Sequence, residues 1–154
     1  MNKVDINIQD IDLPPWAGKA RNYALKVLKE LKKDKWELSI LFCGNKTMTE
    51  LNLKYRNKAG PTDILSFNLG ETVQDGKKQK YLPGDIVISL DMLKENAINF
   101  KITRDEELRR LIIHGILHLD GMNHKTNNAK ESMLCLQEKL LVRLKDERII
   151  GGKK

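Results

Sequence analysis

All three histidines of this 154-residue chain lie in one short segment, HGILHLDGMNH, at positions 114–124. His114 and His118 are four residues apart, so on a helix both side chains project from the same face, one turn apart. Gly121 can adopt the positive φ that ends a helix, and the reversed chain then brings His124 toward the same point. The spacing therefore predicts a metal site with His114, His118 and His124 as ligands.

The donor set favours zinc. Three neutral imidazoles leave the fourth tetrahedral position open to water, which is the arrangement of catalytic rather than structural zinc. A bound zinc ion lowers the pKa of its water to roughly 7, so we expect one zinc ion that supplies hydroxide at neutral pH. The alternative is that each histidine is a hydrogen-bonded core residue, an interpretation that three histidines at this spacing disfavour.

The same spacing, H-x-x-x-H-x-x-G-x-x-H, occurs in metzincin proteases, where a glutamate follows the first histidine. Here that position is Gly115. Because the glutamate takes a proton from the zinc-bound water, its absence disfavours peptide hydrolysis, and a metalloprotease is the weaker alternative. Glycine inside a helix costs about 1 kcal/mol relative to alanine. Gly115 therefore indicates either close helix packing or room for a bulky group, such as a phosphodiester, beside the metal.

The segment that carries His114 and His118 is apolar around its circumference, which predicts a helix packed on several sides in the middle of the domain. Thr103 and Glu106 form a capping box at its start. Strands are predicted at 4–8, 36–43, 64–69 and 85–90, and further helices after Pro15, from a capping box at Thr47 and Glu50 to about 57, from 91, and over about 128–145. The polar, lysine-rich segment around 74–80 is interpreted as a mobile loop with a turn at Asp75-Gly76.

Length and composition predict one compact domain over residues 1–150 and a disordered tail at 151–154. The formal net charge is +7, and a positive surface field attracts polyanions, of which nucleic acid is the leading candidate. Charge alone does not decide this, because many soluble proteins are basic without an anionic partner.

Two features predict a cytoplasmic protein. Cys43 and Cys135 are far apart and have no metal-ligand spacing, so neither a disulfide framework nor a thiolate metal cluster is expected. Aspartates interrupt the apolar residues near the N-terminus, and no stretch approaches the roughly 18 apolar residues of a membrane span.

Four motifs together carry a resemblance to a known family. They are LNLKYR at 51–56, PTDILSF at 61–67, GDIVIS at 84–89 and HGILHLDGMNH at 114–124. In order and spacing the chain resembles the YbeY family of bacterial zinc-dependent endoribonucleases, and the downstream Glu131, Met133, Gln137 and Glu138 also fit.

The resemblance implies an α+β fold in a single domain, with helices around a small mixed β-sheet of about four strands and a zincin-like metal helix. It implies zinc-assisted cleavage of single-stranded RNA in ribosomal RNA maturation, at the 3′ end of 16S ribosomal RNA, and in ribosome biogenesis. The three motif histidines are implied to hold the metal, and Arg56 to contribute to activity from the cleft beside it. Ribosomal RNA and small-subunit ribosomal proteins are the expected partners.

Arg56 suits this task, because a guanidinium grips phosphate oxygens and stabilises the charge of a pentavalent transition state. We hypothesise that zinc-bound hydroxide attacks the phosphodiester while zinc and Arg56 neutralise the phosphorane, with Arg56, His114 and His118 as catalytic residues. A binding protein remains the alternative: a ribosome-assembly factor whose metal is chiefly structural would use the same basic surface.

Five more polar residues are weaker candidates. Asp63 and Ser66 could orient a ligand, although Asp63 is interpreted as part of the turn after Pro61. Asp85 is expected to open its strand, and Asp120 is either a proton acceptor or part of the helix C-terminus. Asn123 stands where the family commonly has aspartate; its carbonyl still accepts a hydrogen bond, but it adds no negative charge.

Overall fold

The computed structural model describes residues 1–128 and 131–151, which form four strands and five helices. The strands are β1 (Lys3–Gln9), β2 (Glu37–Cys43), β3 (Ile64–Asp75) and β4 (Lys78–Ser89). The helices are α1 (Ala17–Glu30), α2 (Asn45–Arg56), α3 (Leu90–Phe100), α4 (Arg104–Leu119) and α5 (Ser132–Arg143). Beyond Gly151, the expected tail lies outside the described residues, so the domain boundary at 150 stays a prediction.

The four strands form one mixed sheet in the order β1-β2-β4-β3. Strand β2 runs parallel to both β1 and β4, and β3 runs antiparallel to β4. This confirms the expected α+β fold with a small mixed sheet. Within the two described ranges, none of the helices has the length and apolarity needed to cross a membrane.

Helix α4 is the central helix, as its apolar circumference predicts. Ile112, Ile113, Ile116 and Leu117 are all fully buried. The backbone N–H of Glu106 donates to the Thr103 hydroxyl over 3.0 Å, which confirms Thr103 as the N-cap of the predicted capping box. The Glu106 carboxylate binds Arg110 rather than the Thr103 backbone. The histidine-bearing helix is therefore held on several sides by the core and provides a rigid base for a site.

Helix α2 begins differently from the prediction. Its N-cap is Gly44, and Thr47 lies inside the first turn rather than at a capping box. The acceptor comes from far away in sequence: the carboxylate of Asp10 accepts from the N–H groups of Gly44 at 2.6 Å and Thr47 at 2.7 Å, and from the Thr47 hydroxyl. A full negative charge at the helix N-terminus replaces the local cap, because it satisfies the first N–H groups and complements the helix dipole.

The predicted loop at 74–80 is wrong, whereas the predicted turn at Asp75-Gly76 is confirmed. Strands β3 and β4 continue through this segment as a hairpin, in which Asp75 pairs with Lys78 and Gly76 has φ 64° at the turn. The hairpin end is largely exposed, so its sequence has no apolar alternation to reveal a strand. Contacts distant in sequence fix it, including a 5.3 Å ring contact between Trp36 and Tyr81. The last helix is likewise shorter than predicted, at Ser132–Arg143.

Candidate metal centre

The structure brings the three histidine rings together at the end of α4. Their ligand atoms all lie within 4.8 Å of one another, and the Nε2 atoms of His114 and His118 are 3.0 Å apart. Gly121 has φ 88°, and the N–H of Met122 donates to the Leu117 carbonyl, so the chain reverses as a Schellman-type turn. This turn returns His124 to the face from which the other two rings project.

Hydrogen bonds orient two of these rings. The Nδ1–H of His114 donates to Oε1 of Gln137 over 2.6 Å, and the Nδ1–H of His124 donates to the Thr126 carbonyl over 2.8 Å. Both acceptors lack a proton to give, so in each ring the proton resides on Nδ1 and Nε2 keeps its lone pair. This is the tautomer that a metal ligand needs.

The pKa values of His114 and His118 favour their neutral forms. Burial lowers the pKa of His114 and of His118, against hydrogen bonds that act in the opposite direction. For His118 one of these bonds is to the Asn123 side chain. Neutral imidazole is the form that binds metals, so burial prepares the site for a cation rather than for protons.

The donor set fits a tetrahedral divalent ion. Zinc–nitrogen bonds of about 2.0–2.1 Å at tetrahedral angles separate neighbouring ligand atoms by roughly 3.3–3.4 Å. The 3.0 Å and 4.8 Å values found here bracket that separation. The three histidines are thus positioned to bind a metal, and small shifts of the side chains suffice.

A cleft of about 840 Å³ opens beside the three rings. Its walls are the start of β3, the end of α2 and the histidine turn, and it contains Arg56, Ser66 and Asn123. Arg56 is the last residue of α2 and is exposed, and within the described part of the chain no carboxylate forms an ion pair with it. Its guanidinium is therefore available to an anion in the same cleft as the histidines.

A model of the family described as endoribonuclease YbeY matches residues 3–145. The chain belongs to this family. The endoribonuclease YbeY of Treponema denticola is 42% identical over 148 residues, 94% of this chain and 96% of that protein. The endoribonuclease YbeY of Borreliella burgdorferi is 46% identical over 127 residues, 78% of this chain and 81% of that protein. A solution structure of a protein from Thermotoga maritima has a TM-score of 0.63 at 26% identity, covering 98% of this chain and 99% of that one.

Of the remaining polar candidates, some line the metal cleft and others lie outside it. Asp63 lines the cleft, where its Oδ2 accepts from the Asn96 amide at 3.2 Å. Asp120 forms an ion pair with Lys33 at 2.8 Å and lies outside that cleft, which favours its interpretation as part of the helix C-terminus. Asp85 was expected to be the first residue of its strand, but it lies within β4.

Gly115, the position at which this YbeY chain departs from the metzincin pattern, faces the sheet. A Cβ there would lie 2.9 Å from Cδ1 of Ile86 and 3.1 Å from Cδ1 of Ile64. Close helix packing therefore explains the glycine, and the expected alternative of room for a bulky group is wrong. A glutamate has no space here, which removes the metzincin base on steric grounds.

The tight contact predicts that Gly115→Ala lowers the free energy of unfolding. Overpacking costs about 1–3 kcal/mol, partly offset by about 1 kcal/mol of better helix propensity. Ile86→Val removes the Cδ1 atom that the new methyl group meets, so the double variant should lose less stability than the sum of the single variants. Urea unfolding of all four proteins measures this coupling, and strict additivity would contradict the packing explanation.

Gln137 is a site residue whose contact the sequence did not reveal, although it fits the family. It is buried on α5, and while its Oε1 accepts from His114, its Nε2 donates to Oε2 of Glu138 over 3.1 Å. Glu138 is held in turn by both Nε and Nη2 of Arg110, at 3.0 and 3.1 Å. This chain of hydrogen bonds fixes which end of the Gln137 amide meets the histidine, and through it the orientation of the ring.

We expect Gln137→Ala to weaken zinc affinity by about 10–100-fold, because partners of this kind orient a ligand and raise its basicity. Gln137→Glu keeps the acceptor and should retain most of the affinity. Competition with a zinc-sensitive fluorescent chelator measures the constants, with Lys139→Ala, an exposed change on the same helix, as the matched control. An affinity in Gln137→Ala equal to that of the control would show that the contact does not orient His114.

Proposed function

We propose that this protein is a zinc-dependent endoribonuclease that cleaves single-stranded RNA in ribosomal RNA maturation, including the 3′ end of 16S ribosomal RNA. The observation that carries the proposal is the convergence of three imidazole rings on one wall of a cleft that also contains Arg56. Relatives over most of the chain are named endoribonucleases. The net charge of +7 supports a polyanionic substrate.

In this proposal His114, His118 and His124 hold the ion through their Nε2 atoms. A divalent ion bound there would act as a Lewis acid and would lower the pKa of its water enough for a proton to be lost at neutral pH. Gln137 and the Thr126 carbonyl keep the rings of His114 and His124 in the required tautomer. Arg56 binds non-bridging phosphate oxygens and stabilises the charge that develops on them during cleavage.

The setting of the reaction is proposed from the family to which the chain belongs, not from the geometry of the site. Ribosomal RNA is the proposed substrate, small-subunit ribosomal proteins are the proposed partners, and the cytoplasm is the proposed location. Asn123, which lines the cleft together with His118, contributes an amide where the family commonly has a carboxylate. It adds no charge to the site, so the total negative charge around the ion is lower here.

Chelation tests this function against that of an assembly factor with a structural metal. We expect the purified protein to contain one zinc ion, to cut a single-stranded RNA oligonucleotide, and to lose that activity in chelator while its circular dichroism and melting temperature change little. The core supports this expectation, because α4 is buried by apolar side chains that do not involve the histidines. Unfolding of the whole domain on chelation would instead assign the metal a structural role.

A further inference from the structure

A second cavity, of about 480 Å³, lies on the face of the sheet opposite α4. In the β2–β4 pairing, Ser39 is opposite Asp85 and Leu41 is opposite Val87, so these four side chains share one face. Helix α2 covers part of this face, where Met48 and Val87 belong to one buried hydrophobic cluster. The helix is too short to cover the rest, and the cavity occupies the uncovered part beside it.

The cavity has an apolar floor and a polar rim. Leu41, Phe67 and Val87 contribute the apolar surface, while Asn7, Ser39 and Asp85 contribute the polar groups. The Ser39 hydroxyl donates to Oδ1 of Asp85 over 2.6 Å, which leaves the other carboxylate oxygen able to accept a hydrogen bond. Its size and lining suit a flat, mostly apolar ligand that carries hydrogen-bond donors on one edge.

This cavity adjoins the metal cleft, and two aromatic residues form their shared wall. Tyr55 and Phe67 line both of them, with ring centroids 5.1 Å apart in an edge-to-face contact. Tyr55 is 56% exposed, and the exposed Lys54 places its Nζ over the ring at 5.2 Å from the centroid. A base can stack on this ring once the flexible lysine side chain turns aside. Because β3 is the edge strand of the sheet, a flexible chain in the metal cleft can pass over this edge and reach the second cavity.

We propose that this cavity binds one unpaired nucleobase of the RNA, stacked on Tyr55 and hydrogen-bonded to Asp85, and we call it the base seat. The identity of the substrate as RNA rests on the proposed function. A carboxylate accepts from an exocyclic amino group, so the seat prefers cytosine to uracil. A base in a duplex cannot enter, because its hydrogen-bonding edge is occupied and its faces are stacked. The seat thus gives the enzyme a physical reason to select single strands.

The test is an NMR titration of the ¹⁵N-labelled, zinc-loaded protein with cytidine and with uridine. Nucleosides have no phosphodiester to cleave and no phosphate to bind at the metal, so their shifts report on where the base and its ribose bind. We expect cytidine to shift the amide signals of Leu41, Tyr55 and Asp85 at lower concentration than uridine. Tyr55→Ala should lower the affinity for both nucleosides by about tenfold. Asp85→Ala should lower the affinity for cytidine and leave the affinity for uridine unchanged.

Phe100→Ala is the matched control. Phe100 is an aromatic side chain that is also exposed, at 61%, but it lines a different cavity next to His114. Nucleoside shifts that centre on the Phe100 cavity, or that are equal in the wild-type protein and the Tyr55 and Asp85 variants, would overturn the seat. The amide spectrum of each variant also reports whether the fold is intact, and the wild-type titration decides the question without any variant.

Failure of the seat and failure of the proposed function give different results. RNA cleavage by the zinc-loaded protein together with no nucleoside shift at Leu41, Tyr55 and Asp85 would overturn the seat and keep the function, leaving this face to a protein partner. Nucleoside shifts at the seat together with no RNA cleavage would support the seat and overturn the nuclease.

Discussion

Replacement of His118 by alanine is expected to abolish zinc binding at micromolar metal and to reduce RNA cleavage by at least about 1000-fold. Two histidines cannot hold the ion in an open tetrahedral site, and a bound ion would be what lowers the pKa of the reacting water toward neutrality. The ring of His118 is half-buried at the C-terminal end of α4, so its removal leaves the apolar core intact. Metal analysis and initial cleavage rates on one single-stranded RNA measure the two effects.

Lys125→Ala is the control for this substitution. Lys125 is exposed and follows the third histidine directly, so the change removes a charge from the same turn without touching a ring. We expect full metal content and a rate within about threefold of the wild type, since exposed substitutions away from special features have small effects. A His118→Ala protein that lost zinc yet cleaved RNA at the control rate would exclude a metal-dependent mechanism.

Arg56→Ala is expected to lower kcat by about 100–1000-fold, the range seen when one donor to a developing negative charge is removed. Zinc content should stay unchanged, because Arg56 lines the cleft but is not one of the groups positioned to hold the ion. The melting temperature should also change little, since the side chain is exposed. Arg56→Lys keeps the positive charge but cannot form bidentate hydrogen bonds to phosphate, so it should recover only part of the cleavage rate.

Lys58→Ala provides the comparison for Arg56. It removes an exposed positive charge two residues further along, outside the set of residues that line the cleft. If a general attraction of RNA to the basic surface explains the effect of Arg56, both variants should raise KM similarly. A specific role predicts that Arg56→Ala lowers kcat and that Lys58→Ala does not; equal kcat values in the two variants would rule that role out.

The sequence by itself determined the parts of the site that lie within one or two helical turns. The i, i+4 spacing of His114 and His118, the glycine at 121 and the third histidine are local features, and their geometry follows from helix periodicity and one permitted φ value. The apolar circumference of α4 and the N-cap at Thr103 were predictable for the same reason. Both are patterns among neighbours along the chain.

The tertiary structure decided everything that depends on residues distant in the sequence. The capping of α2 by Asp10, the contact of Gln137 with His114 and the close approach of Ile86 to Gly115 have no local periodicity. They follow from the order and register of the strands and from the angle at which helices cross the sheet. A linear pattern does not contain those quantities, because many sequences with the same pattern can pack with different partners.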